Sequence, residues 1–181
     1  MTEPLTSTEF AVLRQTIASR GTTRMVLVPF TCLGWAVLTL ILLLFGGPPV
    51  ASLLPLTVLV GGFEAVHALH AGAERIGRYL QVYYEADPAG PQWETTAMTM
   101  GPALPGGGID PLFSAVFVGA TLLNLAPVLL PQPTRVELGV LGVLHAAFVF
   151  RIVRARGAAA RQRAVELESF TALRQRERAR S

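Results

Sequence analysis

The residues best suited to chemistry in this 181-residue chain follow directly after an apolar run. They bring carboxylates, imidazoles and guanidinium groups together within 18 positions: Glu64, His67, His70, Glu74, Arg75, Arg78 and Gln81. At about 100° per residue in a helix, these seven side chains fall within an arc of roughly 140°. The spacing therefore predicts one continuous face of a helix, which we call the polar stripe.

A structural role is the first of three hypotheses for the polar stripe. Glu64 would pair with His67, and Glu74 would pair with Arg78 at the favourable i to i+4 spacing. The charged groups of the stripe would then be paired, and the stripe would pack against another helix or face water.

Metal or haem binding is the second hypothesis. Glu64-x-x-His67 puts a carboxylate and an imidazole on one helical face, as in metal sites at the centre of helical bundles. A pair drawn from His67, His70 and His145 could also supply two axial ligands to a haem. A di-metal site needs a second Glu-x-x-His motif, and Glu137 lies too far along the chain from His145 to provide one.

Proton or ion conduction is the third hypothesis. Ionisable side chains near a bilayer are costly unless they face protein, water or one another, so Glu64 with the neighbouring imidazoles could relay protons or line a pore. The chain offers only three histidines for such a relay. The pattern also lacks the paired broken helices of inverted-repeat transporters.

Motifs of soluble enzymes are missing from the sequence. It has no serine nucleophile elbow and no HExxH motif, and its single cysteine, Cys32, cannot form a CxxC site. Gly106-Gly107-Gly108 is not followed by the Lys-Ser/Thr of a phosphate-binding loop. The arginines crowd the ends of apolar segments, which argues against nucleic-acid binding. We therefore predict a protein that is not an enzyme.

The elements that carry these residues are predicted to be transmembrane helices. Hydrophobic residues make up 51% of the chain, and this excess needs a lipid solvent. Two uncharged stretches of 21 residues, 25–45 and 111–131, each rise roughly 31 Å as helices, enough for a bilayer core. The shorter apolar stretch 50–63 can span if the helix continues to 68. The stretch 138–150 can span if the segment 134–153 is counted and Arg151 and Arg154 snorkel to the headgroups.

The sequence thus predicts an all-α membrane protein with four transmembrane helices arranged as two hairpins. The proline-rich turns at 46–49 and 131–133 reverse the chain within each hairpin. A capping-box pattern at Thr6 to Glu9 predicts an N-terminal amphipathic helix that ends near Gly21. The predicted parts are this helix (1–24), a hairpin whose second helix leaves the membrane (25–86), an irregular loop (87–110), a second hairpin (111–155) and a basic amphipathic helix (156–181).

The arginines predict the orientation. Fourteen of the fifteen fall before the first span, between the second and third, or after the fourth, and only Arg135 lies in an outer turn. By the positive-inside rule, both termini are cytoplasmic in a bacterial inner membrane. Aromatic and basic side chains are predicted to anchor the inner interface: Tyr79, Tyr83, Tyr84, Trp93, Arg151 and Arg154.

The functional prediction follows from this topology. The outer turns contain only a few residues, so contacts outside the lipid are expected on the cytoplasmic side. We predict a non-enzymatic membrane subunit in contact with lipids. It would pack against copies of itself or other subunits, for example those of a respiratory or photosynthetic complex. Glycines within the spans, among them Gly34, Gly61, Gly62, Gly139 and Gly142, permit close helix packing.

Overall fold

The structure, a computed structural model, describes residues 3–86, 90, 92–100 and 111–180. Within that part all regular elements are helices, as the sequence predicts. In chain order they are α1 (Glu3–Phe45), a 3-10 turn (Pro49–Ser52), α2 (Leu53–Tyr83), α3 (Trp93–Met100), α4 (Pro111–Leu123), α5 (Ala126–Leu129) and α6 (Arg135–Arg178). Three of them, α1, α2 and α6, are long and apolar enough to cross a membrane.

The long helices run further than their local sequence signals predict. Helix α1 continues through Gly21, the predicted end of the N-terminal helix. One glycine costs a helix only about 1 kcal/mol relative to alanine, too little to interrupt a segment that is helical on both sides. In the same way, α6 continues through Gly157 into the predicted basic helix. Helix α2 ends at Tyr83, three residues before the predicted end of the first hairpin at 86.

The turns that join the helices have local causes. Gly46 ends α1 with a φ of +71°, in the left-handed region that glycine adopts without strain. Helix α6 begins with a capping box, in which the Glu137 amide donates to the Thr134 hydroxyl and the Glu137 carboxylate accepts from the Thr134 amide. The sequence carries this second Thr-x-x-Glu spacing, and our sequence analysis did not use it.

Helix α3 lies inside the segment 87–110 that the sequence predicts as an irregular loop, so the loop prediction is wrong at 93–100. The Glu85 carboxylate accepts hydrogen bonds from the amides of Glu94 and Thr95, both at 2.7 Å. These amides belong to the first turn of α3 and have no partner within the helix. The cap comes from nine residues upstream, outside the local window that predicts a helix start.

The described residues form two units. The apolar unit comprises residues of Met25–His67 and Pro111–Arg156, and the polar unit comprises those of Met1–Arg24, Ala68–Asp110 and Gly157–Ser181. The core of the apolar unit joins α2, α4 and α6. Phe63 is its centre, since its ring meets Phe117 and Phe148 edge to face at centroid distances of 5.4 and 5.8 Å. Helix α1 approaches α2 at Gly62, where any side chain would overlap Thr31.

The polar unit packs the remaining parts of α1, α2 and α6 together with α3. Leu80 is fully buried in it, and so is the charged side chain of Arg78. Aromatic rings add to this packing, with Phe10 on Tyr84 and Phe170 on Tyr79 at centroid distances of 5.5 and 5.8 Å. The polar unit therefore combines an apolar interior with a charge that its neighbours must compensate.

Candidate functional site

The polar stripe is helical along its whole length but is divided between the two units. Glu64 and His67 belong to the apolar unit, whereas His70, Glu74, Arg75, Arg78 and Gln81 belong to the polar unit. The arrangement is therefore best described as two separate clusters.

Glu64 pairs with a cation from another helix of the apolar unit. Arg151 Nη2 on α6 donates to Glu64 Oε2 at 2.8 Å, and both side chains remain about 40% exposed (42% and 43%). The same guanidinium lies 5.8 Å from the centroid of the Phe63 ring. His67 stacks parallel on Phe63, with ring centroids 5.9 Å apart. The Glu64 carboxylate therefore has a cationic partner within its own unit.

His70 bridges an arginine and a glutamate within the polar unit. Arg24 Nη1 lies 2.9 Å from His70 Nδ1, and His70 Nε2 lies 3.5 Å from Glu74 Oε1. A guanidinium can only donate, so Nδ1 accepts and the ring proton of the neutral imidazole is assigned to Nε2, which faces the carboxylate. Both ring nitrogens thus face protein groups, and haem ligation would require His70 to leave one of them.

Arg78 is the centre of an ion-pair cluster, and its side chain is only 2% exposed. Its Nε and Nη2 both donate to Glu166 Oε2, at 2.8 and 2.5 Å, and its Nη1 donates to Glu74 Oε2 at 3.3 Å. Arg75 binds the second oxygen of Glu166 at 3.0 Å, and Arg163 binds Glu74 at 3.0 Å. The Glu74–Arg78 pair of the structural hypothesis is present, and a second helix completes it.

Our sequence analysis missed two members of this cluster, Arg163 and Glu166, and Glu166 binds the buried Arg78. Gln162, one helical turn earlier, donates to Glu166 Oε1 at 2.8 Å. The signal that could have found it is an acidic residue on a basic helix, facing the arginines of α2. Its pairing partners are 88 and 91 residues away in sequence, and only the packing of α2 with α6 brings them together.

Gln81, the last residue of the stripe, does not join the ion-pair cluster. It lines a groove of about 370 Å³ in the polar unit together with Val82, Arg174 and Arg178. The Arg174 guanidinium donates to the Val82 carbonyl and lies 5.8 Å from the Tyr83 ring.

The tyrosines predicted as interface anchors pack on one another in the polar unit. Tyr79 stacks on Tyr83 at 4.5 Å. Both hydroxyls donate to carboxylates, Tyr79 to Glu9 at 3.1 Å and Tyr83 to Glu177 at 3.0 Å. Burial raises the pKa of Tyr84 above its usual range, and the Glu9 carboxylate raises it further. These rings hold α1, α2 and α6 together within the polar unit.

The other predicted anchors lie at the surface of their units. Trp93 is 65% exposed, with the Arg14 guanidinium 6.0 Å from its ring. Arg14 also binds Glu94 at 2.8 Å. Burial raises the pKa of Glu94, and Arg14 only partly opposes this effect. Arg154 lies over the ring of Phe150 at 5.7 Å.

His145 belongs to a buried polar network that is centred on Asn124. The Asn124 amide nitrogen donates to His145 Nε2 and to the Ser52 carbonyl, both at 3.0 Å. The Asn124 oxygen accepts from Trp35 Nε1 at 3.2 Å and lies 3.5 Å from the Thr39 hydroxyl. Since His145 Nε2 accepts, its Nδ1 carries the proton and donates to the Leu141 carbonyl at 2.7 Å. Both ring nitrogens are therefore engaged.

Asn124 has four polar partners in the apolar unit, and our sequence analysis placed it only within the uncharged stretch 111–131. It lies between α4 and α5, where the helix is interrupted. Its own amide still donates to the Ala120 carbonyl at 2.9 Å, and the next amide donates to Leu122 at 3.1 Å. The interruption therefore leaves these backbone donors bonded.

A metal or haem centre finds weak support in this geometry. Within the part of the chain that the structure describes, no group of three or more His, Cys, Asp or Glu side chains is placed to hold a metal ion. To bind a metal ion or a haem iron, His70 and His145 would each have to give up a contact that a ring nitrogen makes with the protein.

Comparison of the chain with protein-family models, with curated proteins and with solved structures found no match.

Proposed function

We propose that this protein is a non-enzymatic integral membrane subunit that associates laterally, through helix α6, with copies of itself or with other membrane subunits. The observation that carries the proposal is an uncovered face of small residues on α6. At about 100° per residue, Gly139, Gly142 and Ala146 fall within an arc of roughly 60°. The buried residues Leu141 and Phe148 lie on the opposite side of the helix.

This face is open to close approach by another helix. A Cβ atom added at Gly139 or at Gly142 meets nothing within 4 Å among the described residues, and Ala146 is exposed. Lipid tails are as apolar as leucine, so helix association in membranes depends on close packing, and small residues allow it. Gly62 allows such a close approach within the chain, because Thr31 of α1 fills the space beside it.

The ionisable residues support a structural role over catalysis or conduction. Arg151 pairs with Glu64, and the buried Arg78 pairs with both Glu74 and Glu166. A proton relay needs carboxylates whose charge is not already compensated, and a metal site needs donor atoms that are not already bonded. Internal pairing of these groups is what a structural subunit requires.

The topology within this proposal has four spans, with both termini in the cytoplasm of a bacterial cell. Helices α1, α2 and α6 supply three of the spans. The fourth is formed by α4 and α5, which make up an apolar stretch from Phe113 to Leu129. Their interruption at Asn124 is tolerable in a membrane because its backbone groups are bonded. The arginine distribution supports the orientation.

Substitution of Gly142 by leucine tests the proposal. We expect the wild-type protein, released from its own membrane in mild detergent, to appear by native mass spectrometry as an assembly of several chains. We expect Gly142→Leu to appear as a single chain whose thermal stability is unchanged or raised, because an added Cβ meets nothing within 4 Å among the described residues and leucine is favoured over glycine in a helix.

Ala147→Leu is the matched control. It adds volume at another exposed position of α6, about 80° away from Gly139 around the helix, and it should leave the assembly intact. A wild-type protein that is released as a lone chain would contradict the proposal, as would a Gly142→Leu protein that assembles normally. A lone wild-type chain that carries a haem or metal mass would favour the cofactor hypothesis instead.

A further inference from the structure

A groove along the N-terminal part of α1 belongs neither to the ion-pair cluster nor to the small-residue face of α6. It encloses about 650 Å³ within the polar unit, a volume typical of small-molecule sites. It is lined by residues from Ala11 to Thr23 of α1, among them Gln15, Thr16, Ser19 and Arg20, and by Leu69 of α2. A smaller cavity of about 150 Å³ adjoins the same stretch of α1, and Arg20 and Arg24 both line it.

The charge of Arg20, which lines both the groove and the cavity, is not paired with a carboxylate of the described residues. Arg20 and Arg24 are one helical turn apart, a spacing at which like charges repel. No carboxylate lines either the groove or the cavity among the described residues. Arg20 forms no ion pair with any described residue, whereas Arg14, Arg75 and Arg163 of the same unit each bind a glutamate. The groove therefore offers a half-buried positive charge to an anion.

The position of the groove along the chain indicates the source of that anion. Arg24 is the last charged residue before the uncharged stretch 25–45. Arg20 precedes Met25 by five residues, or about 8 Å of helix. The headgroup region of a bilayer is about 5 to 8 Å thick on each side of its hydrocarbon core. Once the chain is inserted, the end of the groove that Arg20 and Thr23 line lies at the depth of the lipid phosphates.

We propose that this groove binds the headgroup of an anionic phospholipid, with Arg20 as the residue that binds the phosphate. The inference rests on the proposed membrane insertion of the chain. Guanidinium groups bind phosphate oxygens through two parallel N–H donors, so an arginine gives the phosphate a fixed orientation. Arg24, which donates to His70, adds a second positive charge in the adjoining cavity that Arg20 also lines.

The hydroxyl groups of the groove favour a headgroup that itself carries hydroxyls. Thr16 and Thr23 donate their hydroxyl protons to carbonyls of their own helix, Val12 and Ser19, at 2.8 and 2.9 Å. Their oxygens remain able to accept hydrogen bonds. The glycerol headgroup of phosphatidylglycerol supplies such donors, and the choline headgroup of phosphatidylcholine does not. Phosphatidylglycerol is therefore the probe of choice.

Gly72 leaves space for the Arg20 guanidinium. A side chain at position 72 would overlap Arg20 Nη1, which lies directly over this glycine of α2. The end of an arginine side chain moves readily, so Gly72→Ala displaces the guanidinium without disturbing the helix packing. This substitution therefore changes the position of the charge and leaves the number of charges unchanged.

The experiment measures lipid retention by the full chain in mild detergent. Native mass spectrometry counts the lipids that remain bound after incubation with phosphatidylglycerol or phosphatidylcholine. We expect the wild-type protein to retain phosphatidylglycerol preferentially. Each interfacial arginine contributes about 1 kcal/mol to anionic lipid binding, so Arg20→Gln should weaken binding about fivefold. Gly72→Ala should also weaken the binding of phosphatidylglycerol.

Arg176→Gln is the matched control, because it removes the same charge from an exposed position near the end of α6. It should retain phosphatidylglycerol at the wild-type level. Equal retention of both lipids by the wild-type protein would overturn the proposal, and so would wild-type retention by Arg20→Gln. Inorganic phosphate that displaces phosphatidylglycerol at low concentration would also overturn it, since the site would then recognise free phosphate.

Carbonate extraction of cell membranes separates this inference from the proposed function. A chain that resists extraction but shows no lipid preference would refute the headgroup site and leave the membrane subunit standing. A chain that carbonate releases would refute membrane insertion itself, and the headgroup site with it.

Discussion

At the scale of single residues, the buried polar side chains are the ones whose role the structure explains most fully. Asn124 uses its amide nitrogen and its oxygen on four partners from three other elements of the chain. Arg78 is compensated by two glutamates from two helices. Fully bonded groups of this kind make one arrangement of helices more stable than its alternatives, because any other packing leaves a buried donor or acceptor unpaired.

Asn124→Leu is predicted to destabilise the apolar unit. It leaves His145 Nε2, the Trp35 N–H and the Ser52 carbonyl without their amide partner, at a cost of about 2 kcal/mol. Thermal unfolding in detergent, followed by circular dichroism, measures the effect. Thr57→Val is the control, because this exposed hydroxyl donates only to the Leu53 carbonyl of its own helix. Equal melting temperatures for the two variants would show that the network does not stabilise the unit.

At the scale of elements, the packing of α1 on α2 depends on one glycine of a pair. Gly62→Ala introduces a methyl group into the space that Thr31 occupies, so α1 must move away. Gly61→Ala, one position earlier, meets nothing within 4 Å among the described residues. Alanine is favoured over glycine in a helix by about 1 kcal/mol.

We therefore predict opposite effects for these adjacent substitutions. Gly62→Ala should lower the melting temperature, because overpacking typically costs about 1 to 3 kcal/mol. Gly61→Ala should leave it unchanged or raise it. The same thermal unfolding measurement compares the two. A Gly62→Ala protein as stable as Gly61→Ala would mean that α1 does not pack closely on α2 at this point.

At the scale of the whole molecule, the number of spans decides the side on which α6 ends. With four spans the C-terminal part of α6 is cytoplasmic, and the turn at Pro131 is outside. If α4 and α5 do not cross the membrane, both positions change sides. The two topologies therefore make opposite predictions for the same pair of sites.

Cysteine labelling distinguishes them. Pro131→Cys and Ser169→Cys, each made in a Cys32→Ala background, place a thiol at an exposed position. In intact spheroplasts we expect an impermeant maleimide to label position 131, and to label position 169 only after permeabilisation. The reverse pattern would mean that the chain has three spans and that α4 and α5 do not cross the membrane.

The sequence alone predicted the helical class and the presence of apolar helices long enough to cross a membrane. These features follow from composition, length and the absence of breakers, which are local properties of the chain. The Glu74–Arg78 pair was predictable for the same reason, since both residues lie on one helix, one turn apart.

The partners across helices were decided only by the tertiary structure. Arg151 for Glu64, Glu166 for Arg78 and Asn124 for His145 are 87, 88 and 21 residues apart in sequence. The Glu85 cap that starts α3 is likewise outside the helix that it stabilises. Local patterns show which side chains need a partner, because the residue type determines whether a side chain is charged or polar. The identity of the partner depends on which helix faces pack together, and that is a property of the folded chain.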